Sequence, residues 1–184
     1  TIIWVDQNDA ALWTGDEKWL RTVLAHELQH LVYFNTVKGP WWLPEPMNSL
    51  VHGTPAWIVE GIAEYFTEEW RPFRYELSHR YHVLRNTVHK IQDPHNDGYS
   101  KSLYFADRFG DSTISKILNH RNKLKFLDFK ESFKKHTGIT LKQFNEDWRC
   151  QMITFYFSQR SQKERLEDAG VIRKLPIKRF LSFD

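Results

Sequence analysis

Apolar side chains along most of this chain recur at helical spacing, and the one clear exception stands at its start. Thr1-Ile2-Ile3-Trp4-Val5 is β-branched and aromatic and is ended by Asp6, Asn8 and Asp9, which predicts a short strand. From Thr14 the period changes. Thr14 with Glu17 forms a capping box, and Trp19, Leu20, Val23, Leu24, Leu28, Leu31 and Val32 then repeat every three to four residues, predicting a first helix to about Asn35. Gly39, Pro40, Pro44 and Pro46 mark a loop that carries Trp41, Trp42 and His52.

A second helix is expected from Ala56 to about Trp70, with Thr54 as its cap and Pro55 at the first helical position, where a missing N–H costs nothing. A third is expected over Phe73 to Ile91, ended by Asp93-Pro94 and Asn96-Asp97-Gly98. Shorter helices follow at Tyr99 to Phe109, Ser112 to Asn119 and about Phe126 to His136. The last starts at Thr140, boxed with Gln143, and aligns Leu141, Phe144, Trp148, Met152 and Phe155 in one stripe. The pattern predicts a mainly α domain over 1–157 with a small, truncated sheet edge, followed by a C-terminal extension or linker over 158–184.

Composition narrows the function classes. Apolar residues make up 41% of 184, so a packed core is affordable and disorder is not expected. Eight Trp, thirteen Phe and seven Tyr point to a Trp-rich core or to aromatic grooves. Twenty-six basic against 23 acidic residues leave a formal charge of +3, scattered along the chain, which gives no reason to expect nucleic acid. No apolar run approaches the roughly 20 residues that span a bilayer, so no membrane insertion is expected. Cys150 is the single cysteine, which excludes an internal disulfide and a cysteine-rich metal site.

The chemistry concentrates in His26-Glu27-Leu28-Gln29-His30, an H-E-x-x-H pattern within the first helix. Residues four apart share a helical face, so both imidazoles reach one ion while Glu27 leans beside it as a general base. Catalytic zinc takes three protein ligands and leaves a fourth position for water. Glu60, in Trp57-Ile-Val-Glu-Gly-Ile-Ala-Glu-Tyr-Phe66, is the expected third ligand, because Trp57, Ile58, Ile62, Ala63 and Phe66 make that helix look buried and an unpaired buried charge is costly. Gly61 fits as well. An interior helical glycine costs about 1 kcal/mol and is best explained by close approach of a neighbouring helix. The alternative for Glu60 is a surface acid beside Glu64, Glu68 and Glu69; for His52, His79 and His82 a solvated or capping role is expected rather than ligation.

With these residues in place, the chain resembles the gluzincin zinc metallopeptidases and their peptidase MA-like domains. The helix signature Trp-x-x-Glu-Gly-x-Ala-x-Tyr is similar to those of aminopeptidase and bacterial collagenase catalytic subdomains. The resemblance implies Zn2+, a thermolysin-like (zincin) catalytic subdomain with a C-terminal helical bundle, and hydrolysis of a peptide or protein substrate. It further implies that Glu64, one turn after Glu60, orients His26 from behind. It assigns Tyr99, in Gly98-Tyr-Ser-Lys-Ser102, as the transition-state donor, with Tyr104 as the alternative and packing as the bland reading of both. The strand residues Ile3, Trp4 and Val5 would bind extended substrate by strand addition. Endopeptidase action is favoured, since no segment offers an acidic anchor for an α-amine. Membership of a longer multidomain chain and an extracytoplasmic location are suggested by the resemblance alone. Two rival readings remain: a non-catalytic, peptidase-like interaction module docking through its Trp-rich loop, and a zinc hydrolase acting on a non-peptide bond.

Overall fold

The computed structural model describes residues 19–67, 73–90 and 93–163. The expected strand with Ile3, Trp4 and Val5, the Thr14–Glu17 cap and residues 164–184 of the expected C-terminal extension lie outside the described residues.

Among the described residues the protein is mainly helical. In chain order the elements are α1 (Trp19–Val37), α2 (Glu45–His52), α3 (Ala56–Thr67), α4 (Phe73–Leu84), a 3-10 turn (Val88–Lys90), α5 (Asn96–Phe109), α6 (Asp111–Asn119), α7 (Phe129–Thr137) and α8 (Leu141–Ser161). No described helix is long and apolar enough to cross a membrane.

Helix α3 is the centre of the arrangement, packed on α5 along one side and on α1 along another. Its closest approach is set by two glycines. A Cβ built on Gly98 would lie 2.6 Å from the Trp57 carbonyl oxygen and 2.8 Å from the Gly61 nitrogen, so the two backbones touch where any side chain would intervene. Gly61 therefore has the role expected of it, with α5 as the neighbour. Around this crossing lies a core of Tyr33 and Val37 from α1, Trp57, Ile58 and Ile62 from α3, Phe105, and the fully buried Ile117, Phe129, Phe133 and Phe144. Trp57 stacks on Phe144 with ring centroids 5.4 Å apart and planes 10° from parallel.

Several boundaries differ from the sequence reading. The expected helix over Phe73 to Ile91 stops at Leu84, because Asn86 takes a left-handed φ of 54° and Thr87 closes a turn on the His82 carbonyl. Asn96-Asp97-Gly98, read as a terminating turn, is instead the first turn of α5, built on backbone bonds from Asp97, Gly98 and Tyr99 to Asp93, Pro94 and His95. The loop after Gly39 contains α2. Its Pro40–Leu43 turn, closed by a 2.9 Å bond from the Leu43 N–H to the Pro40 carbonyl, leaves Trp41 97% and Trp42 52% exposed. The Pro55 carbonyl accepts the first bond of α3 from Ile58, and the Thr54 hydroxyl meets His52 Nδ1 at 3.0 Å. Helix α7 starts behind Asp128, whose side chain accepts from the Glu131 N–H. In α8 the Thr140 cap holds, and Phe144, Trp148 and Met152 are buried as expected; Tyr156 continues the stripe while Phe155 is 52% exposed, because a strict four-residue step carries the buried face past 155.

The stripe that first signals α1 does not face the described core. Leu20, Leu24, Leu28, Leu31 and Val32 are exposed, whereas Tyr33 and Val37 are buried and the His26 and His30 side chains are mostly covered. The histidine-bearing face is the one turned toward α3.

Candidate metal centre

His26 and His30 stand four positions apart on α1, about one helical turn, so their rings project side by side, centroids 4.6 Å apart and nearly perpendicular. Helix α3, held against α1 and α5, brings Glu60 up to both. His26 Nε2 and His30 Nε2 are 3.0 Å apart, and Glu60 Oε2 lies 3.4 Å from the first and 3.2 Å from the second. Three ligands about 2.0–2.1 Å from a tetrahedral ion stand about 3.3 Å from one another, and this triangle has that size.

The donor set fits a cation on two further counts. Two imidazoles and one carboxylate are the ligand chemistry of catalytic zinc. Glu60 Oε2 is also buried with no hydrogen-bond donor in proper geometry, although the Glu60 side chain as a whole is 25% exposed. An anionic oxygen facing two imidazole nitrogens without a donor is costly unless a positive charge sits between them. Glu27, next to His26 on α1, is half-buried beside this group.

Glu64, one turn further along α3, is almost wholly buried, with its Oε1 3.8 Å from His26 Nδ1. It stands on the Nδ1 side of His26. The same oxygen lies 2.9 Å from Nδ1 of His95, a residue the sequence reading did not single out. His95 caps the N-terminus of α5, its ring stacked on that of His26 at 5.8 Å, with Nδ1 3.6 Å from Glu60 Oε2. Nothing local flagged it: it follows Pro94 in a stretch dominated by turn chemistry and meets Glu64 across 31 residues. Burial holds the pKa of His26 below its ordinary value, keeping its ring neutral and able to ligate. His95 is shifted the other way by its hydrogen bond to Glu64.

The other expected participants have contacts of their own. Tyr99 is 2% exposed, its ring edge-on to Tyr75 at 5.7 Å, a position that suits the packing alternative. The Tyr104 hydroxyl accepts from Arg108 at 2.8 Å. His52 and His82 bond to Thr54 and Thr87. His79 is fully buried, not solvated, and pairs with Asp97 Oδ1 at 3.1 Å, fastening α4 to the first turn of α5 two residues beyond His95.

Compared with protein-family models, with curated proteins and with solved structures, the chain finds no match.

Proposed function

We propose that this chain is a zinc metallopeptidase of the gluzincin type, with His26, His30 and Glu60 as metal ligands and Glu27 as general base. The observation that carries this reading is the triangle of His26 Nε2, His30 Nε2 and Glu60 Oε2, with edges of 3.0 to 3.4 Å and a buried carboxylate oxygen that lacks a donor. Zinc held there supplies a Lewis acid for the scissile carbonyl. Glu27 takes a proton from the attacking water and passes it to the leaving amine. Glu64 places its negative charge 3.8 Å from His26 Nδ1, which favours the Nδ1–H tautomer and leaves Nε2 free to bind metal. The substrate is a peptide or protein and the action endoproteolytic, within a thermolysin-like catalytic subdomain whose later helices, α6 to α8, form the C-terminal bundle.

The test is a fluorogenic peptide panel assayed with and without chelator, on wild type and Glu27→Gln. Hydrolysis that is chelator-sensitive and lost in Glu27→Gln, with zinc content unchanged, is the expected result. Undiminished hydrolysis by zinc-loaded Glu27→Gln sinks the mechanism. Zinc binding with no cleavage of any peptide favours an interaction module or a hydrolase of another bond.

A further inference from the structure

Two triads of metal-ligating side chains, not one, meet at this centre: His26 with His30 and Glu60, and His26 with Glu64 and His95, each with its ligand atoms within 4.8 Å of one another. They share a single ring. In its one rotamer His26 points Nε2 at His30 and Glu60, and Nδ1 at Glu64 Oε1, where His95 Nδ1 also converges. The rings of His26 and His95 are 26° from parallel, so two imidazole nitrogens address one carboxylate oxygen from neighbouring positions, at 3.8 and 2.9 Å. The His95 side chain is 44% exposed, against 14% for His26 and His30, which leaves this second triad open toward solvent.

We propose that the centre offers two alternative seats for one divalent cation of zinc-like character: an inner seat on His26 Nε2, His30 and Glu60, and an outer seat on His26 Nδ1, Glu64 and His95. A neutral imidazole has one lone pair and one N–H. With the cation in the inner seat, the His26 Nδ1–H faces Glu64 Oε1 at 3.8 Å. With the cation in the outer seat, Nδ1 carries the lone pair and the Nε2–H donates to Glu60. On His26 the proton changes nitrogen, and His95 frees its Nδ1 by holding its proton on Nε2, a doubly protonated ring releasing the other to solvent; because His26 has one lone pair, the seats exclude each other and total occupancy stays at one. This rests on the inner seat being the catalytic one, as proposed above.

Zinc titration against a chromophoric chelator separates the two ideas, using wild type, His30→Ala, His95→Gln and the double variant. Glutamine keeps a hydrogen bond to Glu64 and is a poor zinc ligand, so it tests ligation and not contact. Wild type should bind one equivalent tightly, and His30→Ala one equivalent on the order of 100-fold more weakly. Adding His95→Gln to His30→Ala should lower affinity by a further tenfold or more, roughly, whereas His95→Gln alone should cost less than that. Equal costs of His95→Gln in both backgrounds overturn the outer seat, and two equivalents bound by wild type overturn the mutual exclusion; either result leaves the catalytic reading standing. Unchanged affinity in His30→Ala overturns the inner seat, and the shared arrangement with it. Visible spectra of the Co2+-loaded proteins give an independent readout: His30→Ala should show a spectrum that changes again on His95→Gln, and an unchanged spectrum counts against the outer seat.

Discussion

Gly61 and Gly98 meet backbone to backbone: a Cβ on Gly98 would come within 2.9 Å of the Gly61 Cα, and one on Gly61 would strike the Gly98 peptide. The contact fixes how closely α5 approaches α3, and α5 carries His95 at its N-terminus while α3 carries Glu60 and Glu64. Gly98→Ala should destabilise the protein by about 1–3 kcal/mol through overpacking, since only backbone is there to yield. Chemical denaturation measures this; a cost below about 0.5 kcal/mol contradicts the packing account.

Glu60→Ala should reduce zinc affinity on the order of 100-fold or more and abolish peptide hydrolysis, because it removes the only carboxylate of the inner triangle. Elemental analysis after dialysis against a weak chelator checks it. Zinc retained as in wild type removes Glu60 from the ligand set.

Glu64→Ala leaves all three inner ligands in place and frees the His26 ring behind them. The expected loss is about 10–100-fold in zinc affinity or activity, the range for partners that orient a ligand. Wild-type values for both would make Glu64 a bystander.

Tyr99→Phe is expected to leave kcat within about threefold of wild type, since losing a transition-state donor costs about 100-fold or more and this side chain is buried against Tyr75. A fall of that larger size would support the transition-state role that the family resemblance gives it.

Tyr75 gives a stability prediction in alkali. Burial, followed by the neighbouring Tyr99 and Glu76, pushes its phenol up from 10.0 to about 12. The folded state holds this proton more tightly than the unfolded state, so the contribution is complete below pH 10.0 and is lost as pH rises to about 12. Urea midpoints at stepped pH should fall across that window in wild type and fall less in Tyr75→Phe. Parallel slopes for the two proteins contradict it.

What was legible in the sequence was whatever depends on neighbours along the chain. H-E-x-x-H gives its geometry locally, since one helical turn places His26 beside His30, and the Thr140 cap and the Phe144-Trp148-Met152 stripe follow from period and capping chemistry. Glu60 and Gly61 were legible by a different route, as residues too costly for a buried helix unless something meets them. His95 was hidden because its partners are set by the α3–α5 crossing, which no periodicity encodes. The outward direction of Leu20, Leu24 and Leu28 was hidden for a related reason: a repeating apolar stripe says that a helix has a greasy side, and only tertiary packing says where that side points.

His26, standing at the corner of both triads, also governs what genetics can separate. A change there deletes two arrangements with one codon and abolishes both behaviours together. Alleles at His30 and His95 fall on opposite arms, so suppressor or complementation screens built on those two positions resolve what any allele of His26 merges.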